Sequence, residues 1–393
     1  MTTPARPPGA PTESWGQTPA PNPPAPMRDT GELPSLERGA VIVLRQFDVA
    51  DEVDLKRAQA LVAAQRLPLP RPRGTPIVLA NPPLALPLGT RALVLDGRSF
   101  EAELMARVFD FGAVSVRLRI GLAPGTSWED AAALVRAAQV DEGLTRLARE
   151  ETEQLVARMT PALSRAHASP LFEDYVVLLV ERFSPATQAV ALPLGAVGRL
   201  LLGEAMEARL SEAEVAEATR HRSSYYGDDL CVAGWSTALV VEPSGDPDVV
   251  EVLDFANAQL LELRYYDELL DGALDQLYAD VAARRGRGAS FVRNYAPVLH
   301  RTMALMLEIA EFVERVENAI KIIGDTYLAR LYGGAVDSLR IPAWERSVTR
   351  KQALLQQVYD VLKNEVDASR AFWLEVLIVF LIVVELAVAL GIG

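Results

Sequence analysis

The sequence has one cysteine, Cys231, and three histidines, His167, His221 and His300, among 393 residues. A single thiol excludes an intramolecular disulfide framework and any zinc site built from cysteines, and it fits a reducing compartment. The histidines are widely spaced, and none follows a glutamate by three residues as the ligands of di-iron bundles do. No Gly-x-x-x-x-Gly-Lys phosphate loop or dinucleotide-binding fingerprint is present, so no cofactor and no metal is expected. Basic residues are in deficit, 39 Lys and Arg against 52 Asp and Glu, for a net charge of −13. That balance argues against a general nucleic-acid binder, because the phosphate backbone rewards excess cations. Residues 1–34 lack a continuous apolar run, which excludes a secretory signal. Glu13, Asp29 and Glu32 among the prolines do not fit a mitochondrial transit sequence.

What is present sorts into five stretches. Residues 1–37 form a Pro-rich arm with too few large apolar groups to offset the entropy of ordering. Residues 38–160 read as an α/β segment. Its strands are expected at 40–47, 77–79, 91–95 and 113–120, the last alternating as if one face were wet. A short helix is expected over 100–108 and longer ones from Trp128, where Ser127, Glu129 and Asp130 make a helix start. A second α/β segment spans 171–245, with a strand at 175–180, a capping box at Ser211–Glu214 and a hairpin-like strand pair at 230–232 and 236–241.

Residues 247–370 change character to long amphipathic helices. The first runs from Pro247 to about Arg285, with Leu253, Leu260, Leu263, Leu270, Leu274 and Leu277 at three–four spacing. Asp267 stands on that seam as one polar layer, a device that fixes register. A basic turn carries Arg284, Arg285, Arg287 and Arg293, a contact loop for phosphate, RNA or lipid headgroups or else a solvated loop. A second helix to about Leu331, punctuation at Gly333-Gly334 and Pro342, and a third helix from Ala343 complete an antiparallel stalk.

Residues 371–391 are almost wholly apolar. A bilayer core of roughly 30 Å needs about 20 such helical residues, so a C-terminal transmembrane helix is expected. Glu375 falls beside Trp373 at the interface and Glu385 lies deeper, where a buried carboxyl is a functional candidate or a hydrogen-bonded group within a homo-oligomer. Basic residues before the span and none after it keep the bulk of the chain cytoplasmic. The expectation is a tail-anchored, single-pass protein of a bacterial inner membrane. The expected fold class is α+β: α/β head segments, a long-helix antiparallel coiled-coil or bundle stalk, and one membrane helix.

The spacing Leu374-Glu375, Ile378, Leu381-Ile382 and Glu385, together with Val108-Phe-Asp-Phe-Gly-Ala-Val-Ser-Val116, resembles the required-for-meiotic-nuclear-division family, a domain-of-unknown-function family, over roughly residues 100–390. Val376 stands where that family has Trp. The resemblance implies a membrane-anchored protein without known catalytic residues, with eukaryotic relatives linked to mitochondrial translation.

Chemistry-bearing residues are sparse. Gly234-Trp-Ser-Thr-Ala238 looks like a nucleophile elbow but is followed by a β-rich run in place of the required helix. Arg220-His221-Arg222, Tyr225-Tyr226 and Asp228-Asp229 form the densest polar cluster, either an acid–base site or an exposed loop. The functional expectation is a non-catalytic scaffold or adaptor acting as a homo-oligomer with an unidentified protein partner at the lipid bilayer. The alternatives are a membrane-bound enzyme using His221 and Asp228, or a ribosome-contacting tether using the basic loop.

Overall fold

The computed structural model describes residues 33–62, 82–285, 302–307, 309–310 and 326–391. Ten strands and eight labelled helices carry the fold. They are β1 (Ser35–Asp48), β2 (Ala50–Val53), α1 (Leu55–Val62), β3 (Leu84–Leu95), β4 (Arg98–Val108) and β5 (Ala113–Gly121). Next come α2 (Trp128–Val140), α3 (Glu142–Met159), β6 (Leu163–Ala166), β7 (Phe172–Ser184), α4 (Leu194–Leu202) and α5 (Glu212–Ala218). The chain continues through β8 (Arg222–Ser223), β9 (Leu230–Ala233), β10 (Thr237–Val241), α6 (Asp248–Arg285), α7 (Thr326–Ser338) and α8 (Ile341–Gly391).

The two α/β segments share one sheet. Eight strands run in the order β3-β4-β5-β1-β7-β10-β9-β8, and β2 with β6 makes a separate two-stranded ribbon. The centre is β1, paired antiparallel to β5 on one side and to β7 on the other. Among the described residues only β7 and β10 pair in parallel, as the crossover through α4 and α5 requires. The β1 and β7 runs are apolar on successive residues because helices cover both faces of the sheet. Val41, Val43, Val116, Leu118, Val176 and Leu178 face one side, packed with Trp128, Val135 and Leu200. Ile42, Leu44, Val177 and Val240 face the other, packed with Val249, Leu253 and Leu260 of α6. The first half of α6 is therefore a covering layer of the sheet, and Leu270, Leu274 and Leu277 of its later turns are buried in the same cluster.

Several expectations are revised. Residues 100–108 are strand, not helix: Ala102, Leu104, Ala106 and Val108 are buried at every second place, and β4 pairs with both β3 and β5. The strand expected at 77–79 lies outside the described residues, as does the arm up to residue 32, while 35–37 already belong to β1. The face of β5 read as wet is largely buried beneath α6, with Ser115 sealed and Arg117 almost so. Gly333 and Gly334 lie inside α7; the break comes at Arg340, whose φ is 51°, and Pro342 sits in the first turn of α8. The second helix of the expected antiparallel pair falls mostly outside the described residues. Where α6 and α8 meet they run in the same direction, with Gln259 against Glu345 and Asp271 against Lys351.

The transmembrane expectation is also corrected. Residues 371–391 do form helix, as the last turns of α8, but among the described residues no helix is long and apolar enough to cross a membrane. Glu375 and Glu385 divide the stretch, leaving nine consecutive uncharged apolar residues between them. Nine residues are about 14 Å of helix, half of a hydrocarbon core of roughly 30 Å. The C-terminal membrane helix, and with it the tail-anchored, single-pass, inner-membrane reading, is withdrawn on that finding.

Candidate functional site

Asp48 ends β1, β2 follows two residues later, and β6 returns antiparallel to β2 with Ala50 opposite Ala166. The chain leaving β6 therefore crosses the end of β1, and the His167 N–H donates to the Val49 carbonyl at 2.9 Å. That backbone bond fixes the imidazole over Asp48. Gly112 makes the arrangement possible. Its φ is 104°, and a Cβ there would lie 1.6 Å from the Ala50 carbonyl oxygen, so only glycine lets the β4–β5 turn close against β2.

His167 is held at both nitrogens. Nε2 is hydrogen-bonded to Asp48 Oδ2 at 2.8 Å and Nδ1 donates to the Arg165 carbonyl at 3.2 Å, with Asp51 Oδ1 3.5 Å from Nδ1. Tyr265 of α6 stacks on the ring, centroids 4.9 Å apart and planes within 5°. Arg165 holds a φ of 47°, an uncommon value for a side-chain-bearing residue, and pairs with Asp51. Burial draws the His167 pKa down, but the hydrogen bond and charge of Asp48 outweigh it and leave it above the ordinary value. Burial pushes Asp48 up, and the His167 hydrogen bond and charge offset that only in part. The other oxygen, Oδ1, is sealed from solvent.

The imidazole opens on a cavity of about 800 Å³ between the β6–β7 connection on one side and α6 with residues 302–305 on the other. Leu269, Ala273 and Leu305 give it an apolar wall; Asp51, Glu268 and Gln276 give it a polar one. Beside it Glu173, the second residue of β7, pairs with Arg264 of α6. Burial pushes the Glu173 carboxyl up to about 7, more than the attraction of Arg264 can reverse.

A second polar assembly lies deeper between sheet and α6. Asp254, sealed from solvent, accepts from Ser115 Oγ at 2.6 Å and Gln46 Nε2 at 2.7 Å, and it faces Arg107 at 3.2 Å and Arg117 at 3.5 Å. Burial pulls the Arg117 guanidinium below its ordinary value, against the pull of Asp254. Among the described residues no group of His, Cys, Asp and Glu is arranged to hold a metal ion.

The residues singled out from sequence are scattered. Asp267 lies between α6 and α8, accepting from Ser347 Oγ at 2.7 Å and pairing with Lys351 at 2.9 Å. Asp228 lines a cavity at the start of α6, and His221 is not among the residues that line it. Arg284 and Arg285 end α6, while Arg287 and Arg293 lie outside the described residues. Glu375 and Glu385 stand on α8 amid exposed apolar side chains. Sequence reasoning passed over His167, Asp48 and Arg165. The signal available was a histidine next to Pro- and Ser-rich connection residues, which is too weak to separate from a loop.

A family model described as the N-terminal domain of the uncharacterized protein MJ0711 matches residues 38–248, over half of the chain. The chain belongs to this family. It is a domain family of unknown function, and the match spans nearly all of the eight-stranded sheet together with Asp48, His167 and Glu173. The uncharacterized protein MJ0711 of Methanocaldococcus jannaschii is 21% identical over 246 residues, covering 62% of this chain and 73% of that protein. No solved structure matches. The family region ends where α6 begins, so Tyr265 and the far wall of the cavity come from the helical part beyond it.

Proposed function

We propose that the protein is a non-catalytic adaptor whose head takes up a small amphipathic molecule in the cavity beside His167. The observation that carries this reading is the hydrogen bonding of both imidazole nitrogens, to Asp48 and to the Arg165 carbonyl. A general base needs one nitrogen free to receive a substrate proton. An imidazole held at both nitrogens instead offers a fixed polar shape to an occupant of the cavity. The cavity joins the family domain to α6 and residues 302–305, so an occupant would touch both and its presence would be transmitted to the helices. Gly272 supplies the test, because it lines the cavity and a Cβ there meets nothing within 4 Å. Native mass spectrometry and a thermal-shift screen on wild type should find a retained small molecule. Gly272→Phe should abolish both signals while keeping the melting temperature of the empty protein. No occupant in wild type, or the same occupant in the variant, would overturn the reading.

Assembly through α8 supports the adaptor reading from a different observation. Fourteen large apolar side chains between Phe372 and Val388 are exposed on all sides of the helix. Contiguous apolar surface of that extent marks an interaction site, and self-association of this helix is the proposed use. Kinship with the required-for-meiotic-nuclear-division family is part of the same proposal, supported by the Glu375 and Glu385 spacing and by segment 108–116. In that segment Phe109 and Phe111 stack at 5.2 Å and Gly112 closes on β2, so the motif positions the ribbon that carries the site.

A further inference from the structure

The turn between β8 and β9 displays two exposed tyrosines. Asp229, itself buried, builds that turn by accepting the Tyr225 and Tyr226 N–H groups at 2.8 Å each. The Tyr225 ring meets Tyr226 at 4.7 Å and 77°, and Tyr327 of α7 at 5.7 Å and 71°. All three rings line a cavity of about 570 Å³ floored by Val249 and Leu328. Around them stand Asp228, Asp229, Glu242, Asp246 and Asp248, and no Lys, Arg or His is among the described residues that line it.

Four of these carboxylates also have local structural work: Asp229 builds the Tyr225–Tyr226 turn, and Glu242 accepts from Ser244 N–H and Oγ at 3.1 and 2.6 Å. Asp246 accepts the Asp248 N–H at 3.0 Å, and both sit at the start of α6, where negative charge complements the helix dipole. Hydrogen bonds to neutral N–H and O–H groups do not cancel charge, so the five carboxylates, Asp228 among them, leave the cavity with excess negative charge. Burial first, and then the Asp229 charge, pushes the Tyr327 phenol well above its ordinary range, against the pull of Arg330.

The rings decide which cation suits the cavity. A hard divalent ion needs six or more converging oxygens, and the described residues contain no such group. An alkylammonium ion gains from aromatic faces as well as from carboxylates, most where water is partly excluded. We propose that this cavity binds an alkylammonium group, presented either by a free polyamine or by a lysine side chain of a protein.

The test is calorimetric titration of the full chain with spermidine and, separately, with a lysine-rich peptide, using calcium as the inorganic comparison. The variants are Tyr225→Leu/Tyr226→Leu and Asp228→Asn; these side chains are at the surface turn, and melting curves confirm folding. Saturable binding of either amine, weakened at least tenfold by the tyrosine pair and also by Asp228→Asn, is expected, with calcium binding weakly. Preference for spermidine assigns a free amine and preference for the peptide assigns a lysine side chain; both uphold the site. No saturable amine binding, or binding that calcium matches and the tyrosine variant leaves unchanged, would overturn it and reduce the cavity to a diffuse counter-ion surface.

Discussion

Arg107 Nη1 lies 3.2 Å from Asp254 Oδ2, and the two side chains are 6% and 0% exposed. The pair joins β4 to α6, and Ser115, Gln46 and Arg117 complete its hydrogen bonds and charge. Removing one member of a sealed ion pair strands the other, at a cost of about 3–5 kcal/mol. Asp254→Ala should therefore destabilise by that amount in urea unfolding. Because the cost is mainly that of the orphaned charge, Arg107→Leu/Asp254→Leu should lose less than the sum of the two single changes.

The stability of the fold should fall as pH rises through two windows. Glu173 has a folded pKa of about 7 against 4.5 ordinarily, so the folded state holds its proton more tightly. Its contribution is full below about pH 4.5 and lost as pH climbs to about 7, a difference of roughly 3 kcal/mol at most. His167 is also raised, so its contribution is full below about pH 6.5 and lost as pH passes its folded value. Asp48, raised as well, acts with the same sign. Unfolding free energies measured from pH 4 to 9 should decline, Glu173→Gln flattening the acidic half and His167→Gln the alkaline half. An unchanged slope in either variant would contradict the corresponding assignment.

Gly112→Ala tests the contact that holds the β2–β6 ribbon against the sheet. The added Cβ would overlap the Ala50 carbonyl, and the residue would have to keep a φ of 104°. Backbone strain of this kind costs about 1–3 kcal/mol before any overlap is relieved, so a loss of at least about 3 kcal/mol is expected. Hydrogen exchange should show residues 49–53 and 163–167 losing protection first, ahead of β1 and β7. Uniform loss across the sheet would mean that the turn does not act on the ribbon in particular.

Local signals were legible where the chain decides locally. Ser127 accepts the Asp130 N–H as a cap, α6 starts at Asp248 as the Pro247 and acidic residues require, and the β9–β10 pairing follows its apolar runs. Residues 100–108 were misread because Phe100, Leu104 and Val108 also satisfy helical spacing, while β4 is fixed by two neighbours far apart in sequence. The polar face of β5 was read as wet because Ser115 and Arg117 find their counter-charge 139 and 137 residues later, at Asp254. The His167 site was invisible for the same reason: Asp48 is 119 residues away, and the β2–β6 pairing brings His167 back across the end of β1. The membrane reading failed because hydropathy summed over the window outweighed the interruption by Glu375 and Glu385.

The exposed end of α8 leads to the last expectation. Fully burying one Val, Leu, Ile or Phe side chain contributes about 1.5–3 kcal/mol. Covering half of the fourteen exposed between Phe372 and Val388 would thus contribute about 10–20 kcal/mol, against an association cost of about 4–15 kcal/mol. The balance favours assembly. In detergent-free buffer, light scattering on the full chain should give a mass at least twice 42.8 kDa. Deleting residues 371–393 should give a monomer whose melting temperature matches that of the parent head, because the core on both faces of the sheet ends at Leu355. A monomeric full chain would remove self-association from the proposed adaptor role. An oligomer that survives the deletion would place the interface outside residues 371–393.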